Sequence, residues 1–389
     1  MKLEPLHARA DHTTYTLSRQ ALSTGDVLVS LPSVLSATAR RAGTAVLIAL
    51  ISLAVGEFAL RVVDRVSPSL VFHDDSYNRF RVKPGSNFYG FRVNSRGFLD
   101  TEFSDPGGGS FRIVALGDSF AFGVVPYCDN YLTLLEEGFK RQGQRVDIFN
   151  MGIPRTAPGD YLGLLVNEGL ALEPDLVLVS FYMGNDLTET YQALHRSRPL
   201  SERSHVISLL RFALRHREVT QVGVFHHRRR YSDEAPTFSR PTYIKILGGR
   251  AMIYMADWQG FDESVDEAVG AIERMATLCR RRGTGLAVIL IPEETQVDPE
   301  LQAEVVASSE LLRGRTMDFL RPNRILGERL DGLGIPFLDL YPVFAEAAAS
   351  TQLYKPLDTH WNIAGNRLAA EEIAGFLHAR GLVSGKEEH

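Results

Sequence analysis

Two cysteines, Cys128 and Cys279, are all that 389 residues contain. Such scarcity excludes a disulfide framework and any zinc cluster built on thiolates, and leaves the pair to be read as two small buried hydrophobes. An excess of basic residues is missing too. The 42 Lys and Arg stand against 47 Asp and Glu, a formal net charge of −5, so the electrostatic footprint of a nucleic-acid-binding protein is absent. No internal repeat is present. Long apolar runs are lacking with one exception, "GTAVLIALISLAVGEFALRVV" from Gly43 to Val63, where 14 residues pass without a charge before Glu57 interrupts. The whole stretch reaches the ~20 residues that a ~30 Å hydrocarbon layer requires. A cleaved signal begins close to a chain's start, whereas here a polar segment, residues 1–42, precedes the run, so the pattern predicts an uncleaved anchor helix over 43–64. Lys and Arg are balanced about the run, five in residues 1–43 and five from Arg61 to Lys83, but Arg40 and Arg41 abut it and favour the N-terminus inside, which would put the rest of the chain outside the cytoplasm on a single-pass anchor. Residues 1–42 read as a flexible tail without an assigned function.

Beyond the anchor the chain is patterned. Residues 65–109 form a short β-rich extension, with "FYGFRVNSRGFLDTEF" reading as strands and turns and "DPGGG" as a linker. Over 110–383 strand and helix alternate. "FRIVALG", "RVDIFNMG", "PDLVLVSFYMG", "TGLAVILIPE" and "GIPFLDL" are strands. Between them lie helices such as "YLTLLEEGFKRQG" and "DESVDEAVGAIERMATLCRRRG", the latter acidic first and basic last, as the helix dipole favours. Alternation with short connections predicts an α/β domain with a parallel sheet covered by helices on both faces. Between residues 187 and 259 the rhythm lapses into what reads as an insertion, whose run from His226 to Arg230 is taken as a solvated basic loop.

Ligands of an open parallel sheet bind beyond the carboxyl ends of its strands. Those ends carry Gly117-Asp118-Ser119, then Asn150-Met151-Gly152, then Met183-Gly184-Asn185-Asp186, and near the C-terminus comes "LDTHWN", Leu357 to Asn362. A serine hydroxyl becomes a nucleophile only when a base takes its proton, and the oxyanion formed by its attack needs preorganised donors. Each requirement has a candidate: Ser119 attacks, His360 is the base, and Asp358 orients the imidazole. The N–H groups of Ser119 and Gly152 and the amide of Asn185 receive the oxyanion. Each motif also has a plainer use. Asp118 or Ser119 can simply cap a helix, Gly-Asn-Asp is a good turn, and His360 beside Trp361 can be a packing residue. No complementary ligand cluster accompanies "DTH", so neither a metal nor a cofactor is expected. The Gly-x-Ser-x-Gly elbow of the α/β-hydrolases is not met, because its fifth position is Ala121.

"GDS" at Ser119, the glycine of "NMG" at Gly152, "GND" at Asn185 and "DTH" at His360 together resemble the four blocks of the SGNH, or GDSL-type, hydrolase superfamily, over roughly residues 111–382. The resemblance implies a flavodoxin-like three-layer α/β/α sandwich and acyl-ester chemistry, with Ser119, His360 and Asp358 as triad and Ser119, Gly152 and Asn185 at the oxyanion hole. The anchor, "VNSRGF" and "HWNIAGNRLAAE" look like membrane-anchored bacterial members linked to polysaccharide acylation. One departure stands out: the commonest superfamily spacing is Asp-x-x-His, whereas Asp358 and His360 are two apart, similar to the alginate O-acetyltransferase branch. Residues two apart do not face each other on a helix, so Asp358 can orient His360 only from a turn before one; otherwise the site is a Ser-His dyad.

The expected activity is therefore a serine esterase or O-acyltransferase acting on O-acetyl groups of cell-surface or exported glycans, with an acylated carbohydrate or other ester as substrate. The alternatives are a non-catalytic glycan-binding or assembly protein on the same fold, and a lipid-directed esterase served by "VISLLRFAL" in the insertion. Trp361 and Tyr182 could offer sugar-stacking surface or serve as ordinary packing.

Overall fold

A computed structural model describes residues 31–66, 81–196, 204–214 and 230–383. The chain divides into two compact units, Met1–Gly56 and Glu57–His389. Helix α1 (Leu31–Val66) contains an apolar stretch, Ala37–Val63, of 27 residues and hydropathy 2.2. At 1.5 Å rise per residue it is about 40 Å long, enough to cross a membrane. Its large apolar side chains, among them Ile48, Ile51, Val55 and Phe58, are exposed. Residues 31–42, expected as part of a flexible tail, continue this helix, and residues 1–30 lie outside the described residues.

The second unit is built on a parallel sheet of β3 (Phe111–Gly117), β4 (Val146–Asn150), β5 (Leu176–Tyr182), β6 (Gly285–Ile291) and β7 (Phe337–Asp339), in the order β4-β3-β5-β6-β7. Every neighbouring pair is parallel. A small antiparallel hairpin of β1 (Asn87–Phe88) and β2 (Phe91–Arg92) precedes it. Numbered from β3, the order is 2-1-3-4-5, the flavodoxin-like winding whose ligand crevice opens where the chain leaves the first strand for opposite sides. That crevice lies between the ends of β3 and β5.

In chain order the helices of this unit are α2 (Ser119–Phe122), α3 (Tyr131–Arg141), α4 (Pro158–Asn167), α5 (Asp186–His195), α6 (His205–Leu214), α7 (Arg240–Arg250) and α8 (Phe261–Arg282). After them come α9 (Glu294–Val297), α10 (Pro299–Ser308), α11 (Arg321–Gly332), α12 (Tyr341–Ala348) and α13 (Ile363–Ala379). Every residue of β3 and of β5 is buried, because a parallel strand covered on both sides has no polar face to offer. Side chains alternate between two cores. Val177, Val179 and Phe181 join α4 and α8 on one face, and Leu176, Leu178 and Tyr182 join α3 and α13 on the other. Helix α8 begins with Asp262 and Glu263, ends in Arg280 to Arg282, and stops at Gly283 with φ +71.

The region 187–259 is more regular than its sequence pattern, since α5, α6 and α7 lie in it; residues 197–203 and 215–229, with most of the basic run from His226, lie outside the described residues. The two cysteines are both free. Cys279 is buried in α8 as expected, but Cys128 is exposed, because it falls on a single turn of 3-10 helix between α2 and α3 that has no buried face.

The extension is anchored next to the site. Phe88, Val93, Leu99 and Phe122 form a core of their own, and Phe122 belongs to the helix that carries Ser119. Asp100 accepts from the Asn150 backbone N–H at 2.8 Å and from the Tyr127 hydroxyl at 3.0 Å. Burial nevertheless pushes its carboxyl up to about 7.

Candidate active site

The crevice is assembled from three strand ends and one late turn. At the end of β3 the buried Asp118 caps α2, accepting the Phe120 N–H at 2.9 Å, and Ser119 becomes the first helical residue. The capping reading and the presentation of the serine are thus one geometry. Gly117 is required there, because a Cβ would sit 2.8 Å from Ala121 Cβ and 3.0 Å from Ser180 Cβ on the neighbouring strand. Ser119 is the partly exposed residue between buried neighbours on either side.

The expected base, His360, arrives from the other end of the sequence. Tyr354 and Trp361 pair as an isolated bridge, Lys355 N–H donates to His360 O at 3.0 Å and Asp358 N–H to Lys355 O at 3.1 Å, which closes a tight turn. Leu357 takes φ +48 within it, a left-handed conformation costing a residue with a side chain roughly 1–2 kcal/mol. Helix α13 starts only at Ile363, with Asn362 accepting from Gly365 N–H at 2.9 Å. Asp358 and His360 therefore lie before the helix, and the bend brings two residues of opposite natural direction face to face. Asp358 Oδ1 is 2.6 Å from His360 Nδ1 and also accepts the His360 backbone N–H at 3.1 Å. His360 Nε2 lies 2.8 Å from Ser119 Oγ. The ring packs against Phe120 at 5.0 Å. Burial by itself would raise the Asp358 carboxyl, but the charge and hydrogen bonds of His360, with a hydrogen bond from the Thr237 side chain, hold it below the ordinary value of 3.8.

The opposite wall holds the expected oxyanion donors. Gly152 packs under α2 so closely that a Cβ would lie 2.2 Å from Phe122 N and 2.5 Å from Ala121 C. Its N–H donates to Asn150 Oδ1 at 2.9 Å, so receiving an oxyanion means sharing that hydrogen. Asn150 in turn donates from Nδ2 to Ala121 O at 2.7 Å, fixing the amide. Asn185, at the start of α5, directs Nδ2 to Glu189 Oε1 at 3.3 Å and hydrogen-bonds Asp118, while its Oδ1 is buried without a partner. The amide has two hydrogens and both have carboxylate acceptors here, so receiving an oxyanion means sharing one of them. Beneath these residues lies a buried acidic cluster. Burial raises Asp118, Asp186 and Glu293, and pushes Glu189 up to about 8; the mostly enclosed Arg250, 4.0 Å from Glu293 Oε1, is the shared counter-charge of Asp118, Glu189 and Glu293.

Ser119, His360 and Asp358 are thus brought into one hydrogen-bonded line, and Gly152 and Asn185 flank it. Trp361 and Tyr182 are each about 1% exposed, so they pack the core and offer no stacking face. Sequence reasoning passed over Asn150, Glu189, Arg250 and Glu293. Glu293 lies two residues beyond β6 and was open to the strand-end rule that found Ser119, whereas Arg250, at the end of α7 in an irregular stretch, carried no signal. Among the described residues no group of three or more His, Cys, Asp or Glu is placed to hold a metal ion.

Residues 257–389 match the family model described as an SGNH hydrolase-like domain, acetyltransferase AlgX, and the match takes in Asp358 and His360. This third of the chain is similar to an SGNH hydrolase-like domain. The match supports a serine hydrolase or acyltransferase. No curated protein matches the chain in sequence. Among solved structures, the chain is similar to an acetyl xylan esterase at 13% identity, covering 68% of this chain and 98% of that one with a TM-score of 0.39. A two-domain esterase active on acetylated mannans is similar at 14% identity, with 72% and 52% of the two chains covered and a TM-score of 0.39. A GDSL-like lipase from Bacteroides thetaiotaomicron gives 13% identity, 71% and 92% coverage and a TM-score of 0.36.

Proposed function

We propose that this protein is a membrane-anchored O-acyl esterase or O-acyltransferase whose nucleophile is Ser119, with acetyl esters of exported or cell-surface glycans as substrate. The observation that carries the reading is the unbroken line Ser119–His360–Asp358, with contacts of 2.8 and 2.6 Å. The acetyltransferase description of the matched family model supports acetyl as the acyl group.

In this reading His360 Nε2 takes the Ser119 proton as Oγ bonds the ester carbonyl carbon. The oxyanion is met by the N–H groups of Ser119 and Gly152 and by an amide hydrogen of Asn185 shared with its carboxylate neighbours. The imidazolium, steadied by Asp358, then protonates the departing alkoxide, and the acyl group stays on Ser119. A second alcohol or a water, deprotonated by His360, attacks that ester and restores the free serine. Water gives hydrolysis and a sugar hydroxyl gives transfer; the protein groups are the same in both. The apolar helix Ala37–Val63 supports a single-pass anchor, and Arg40 and Arg41 at its start support an extracytoplasmic domain on the bacterial inner membrane.

The test is mass spectrometry of the full chain in detergent after exposure to p-nitrophenyl acetate, with and without an oligosaccharide acceptor. An acetyl adduct on Ser119, absent in Ser119→Ala, is expected, and acetyl on the sugar assigns transfer. Nitrophenol release that survives Ser119→Ala would remove the nucleophile assignment.

A further inference from the structure

Two residues apart on an irregular backbone, Asp358 and His360 meet only because the turn between Lys355 and His360 is bent through a left-handed Leu357. A conformation of that kind persists where the surroundings over-determine it. What surrounds it is a strap, residues 231–239, the irregular segment that leads into α7. Thr237 N–H donates to Pro356 O at 3.2 Å and Phe238 N–H to Leu357 O at 3.1 Å, so the strap runs along the residues just before Asp358. The Thr237 side chain reaches Asp358 itself. Asp233 Oδ1 accepts the Ile363 N–H at 3.2 Å on the far side of the turn.

Lys355 fastens the two pieces together. It is 7% exposed, its Nζ donates to Ser232 O at 2.7 Å and to Ala235 O, and it sits 5.5 Å from the centre of the Tyr231 ring. Its own backbone closes both ends of the catalytic turn, giving N–H to His360 O and taking N–H from Asp358. A buried ammonium needs its hydrogens satisfied. Here backbone carbonyls of the strap do so, which fixes the strap relative to the turn.

We propose that Lys355 is a positioning residue of the active site: by tying the strap 231–239 to the turn 355–360 it holds Asp358 facing His360, with Thr237 as the strap's contact to the carboxylate. The proposal rests on the reading of Ser119, His360 and Asp358 as the catalytic centre. It adds a residue of different chemistry, a buried cation that touches neither nucleophile nor base through its side chain. Lys355→Met keeps the apolar stem and deletes the donor. The turn then loses its tie, and the Asp358–His360 alignment relaxes while the crevice wall at Gly152 and Asn185 is untouched.

The experiment uses the full chain in detergent and p-nitrophenyl acetate, with histidine-labelled NMR of the His360 imidazole alongside. Lys355→Met is expected to lower kcat about 10- to 100-fold with KM within about twofold, and to shift both the pH profile of kcat/KM and the His360 Nδ1 resonance. Lys355→Arg, which still donates to two carbonyls, should recover most of the loss. Thr237→Val, at an exposed site that leaves the fold intact, should lower kcat severalfold, with Thr237→Ser recovering it. An unchanged kcat and an unchanged Nδ1 resonance in folded Lys355→Met overturn the proposal. If Lys355→Met does not fold, Thr237→Val with wild-type kcat and resonance overturns it. Turnover that survives Ser119→Ala, or is absent from the wild type, sinks the catalytic reading instead, and the Nδ1 resonance then decides the positioning role separately.

Discussion

Replacing Asp358 separates charge from orientation. Both His360 donors, Nδ1 and the backbone N–H, fall on the single oxygen Oδ1 of Asp358. An asparagine can place its own Oδ1 there and keep the same imidazole tautomer, so Asp358→Asn removes the negative charge and leaves the geometry. A unit charge about 4 Å from the imidazolium at an effective dielectric of about 20 is worth about 4 kcal/mol, an upper figure for a site that solvent reaches through Ser119. With each 1.36 kcal/mol a factor of ten, the expected loss in kcat is about 10²- to 10³-fold. Asp358→Ala loses orientation as well, and a further factor of about ten is expected on the same scale. The assay is steady-state hydrolysis of p-nitrophenyl acetate with circular dichroism to confirm folding. An asparagine variant within about threefold of wild type would refute the reasoning and leave a Ser-His dyad.

Gly152→Ala should cost about 2–3 kcal/mol and lower turnover, because the added Cβ meets the Phe122 backbone 2.2 Å away and displaces the helix on which Ser119 rides; thermal melting and kcat check both halves. Asn185→Ala should reduce kcat about 10²-fold with KM little changed, as loss of one oxyanion donor does; an unaltered kcat would leave Asn185 a turn residue. Stability should fall as pH rises from about 4 to about 8, because burial raises Asp100 to about 7 and Glu189 and Glu294 to about 8, so the native state binds more protons than the unfolded chain across that interval. Asp358 acts in the opposite sense: its depressed carboxyl contributes stability above 3.8 that is lost as pH falls below that value. Denaturant midpoints measured from pH 3 to 9 should show both limbs.

The parallel sheet was legible because its strands are apolar runs that need covering on both faces, and the strand-end rule then pointed to Ser119, Gly152 and Asn185 as a group. The Asp-x-His spacing raised a choice between triad and dyad that sequence left open, since it turns on whether residue 360 is already helical. In the structure helix α13 starts at Ile363 under the Asn362 cap that the sequence offered, while the left-handed Leu357 and the Tyr354–Trp361 bridge that turn Asp358 toward His360 have no local signature. Arg250 and Glu189 escaped notice for a related reason, and the partnership of Glu293 with them did too. Their meaning lies in a mutual proximity reached across more than 40 residues of separation, whereas periodicity and motif reading see only neighbours. The stacking role weighed for Tyr182 and Trp361 failed on burial, which an aromatic side chain at a strand end or before a helix does not announce.

The hydrogen bond between His360 and Ser119 joins positions 241 residues apart. On the proposed reading, any chain interrupted before residue 360 therefore holds the serine without its base. During synthesis the would-be nucleophile is made early and stays chemically mute while most of the sheet is laid down, and competence arrives in one step with the final helix. A fragment carrying Ser119 and a fragment carrying His360 should each be inert, and only their reunion on a completed sheet would restore ester chemistry.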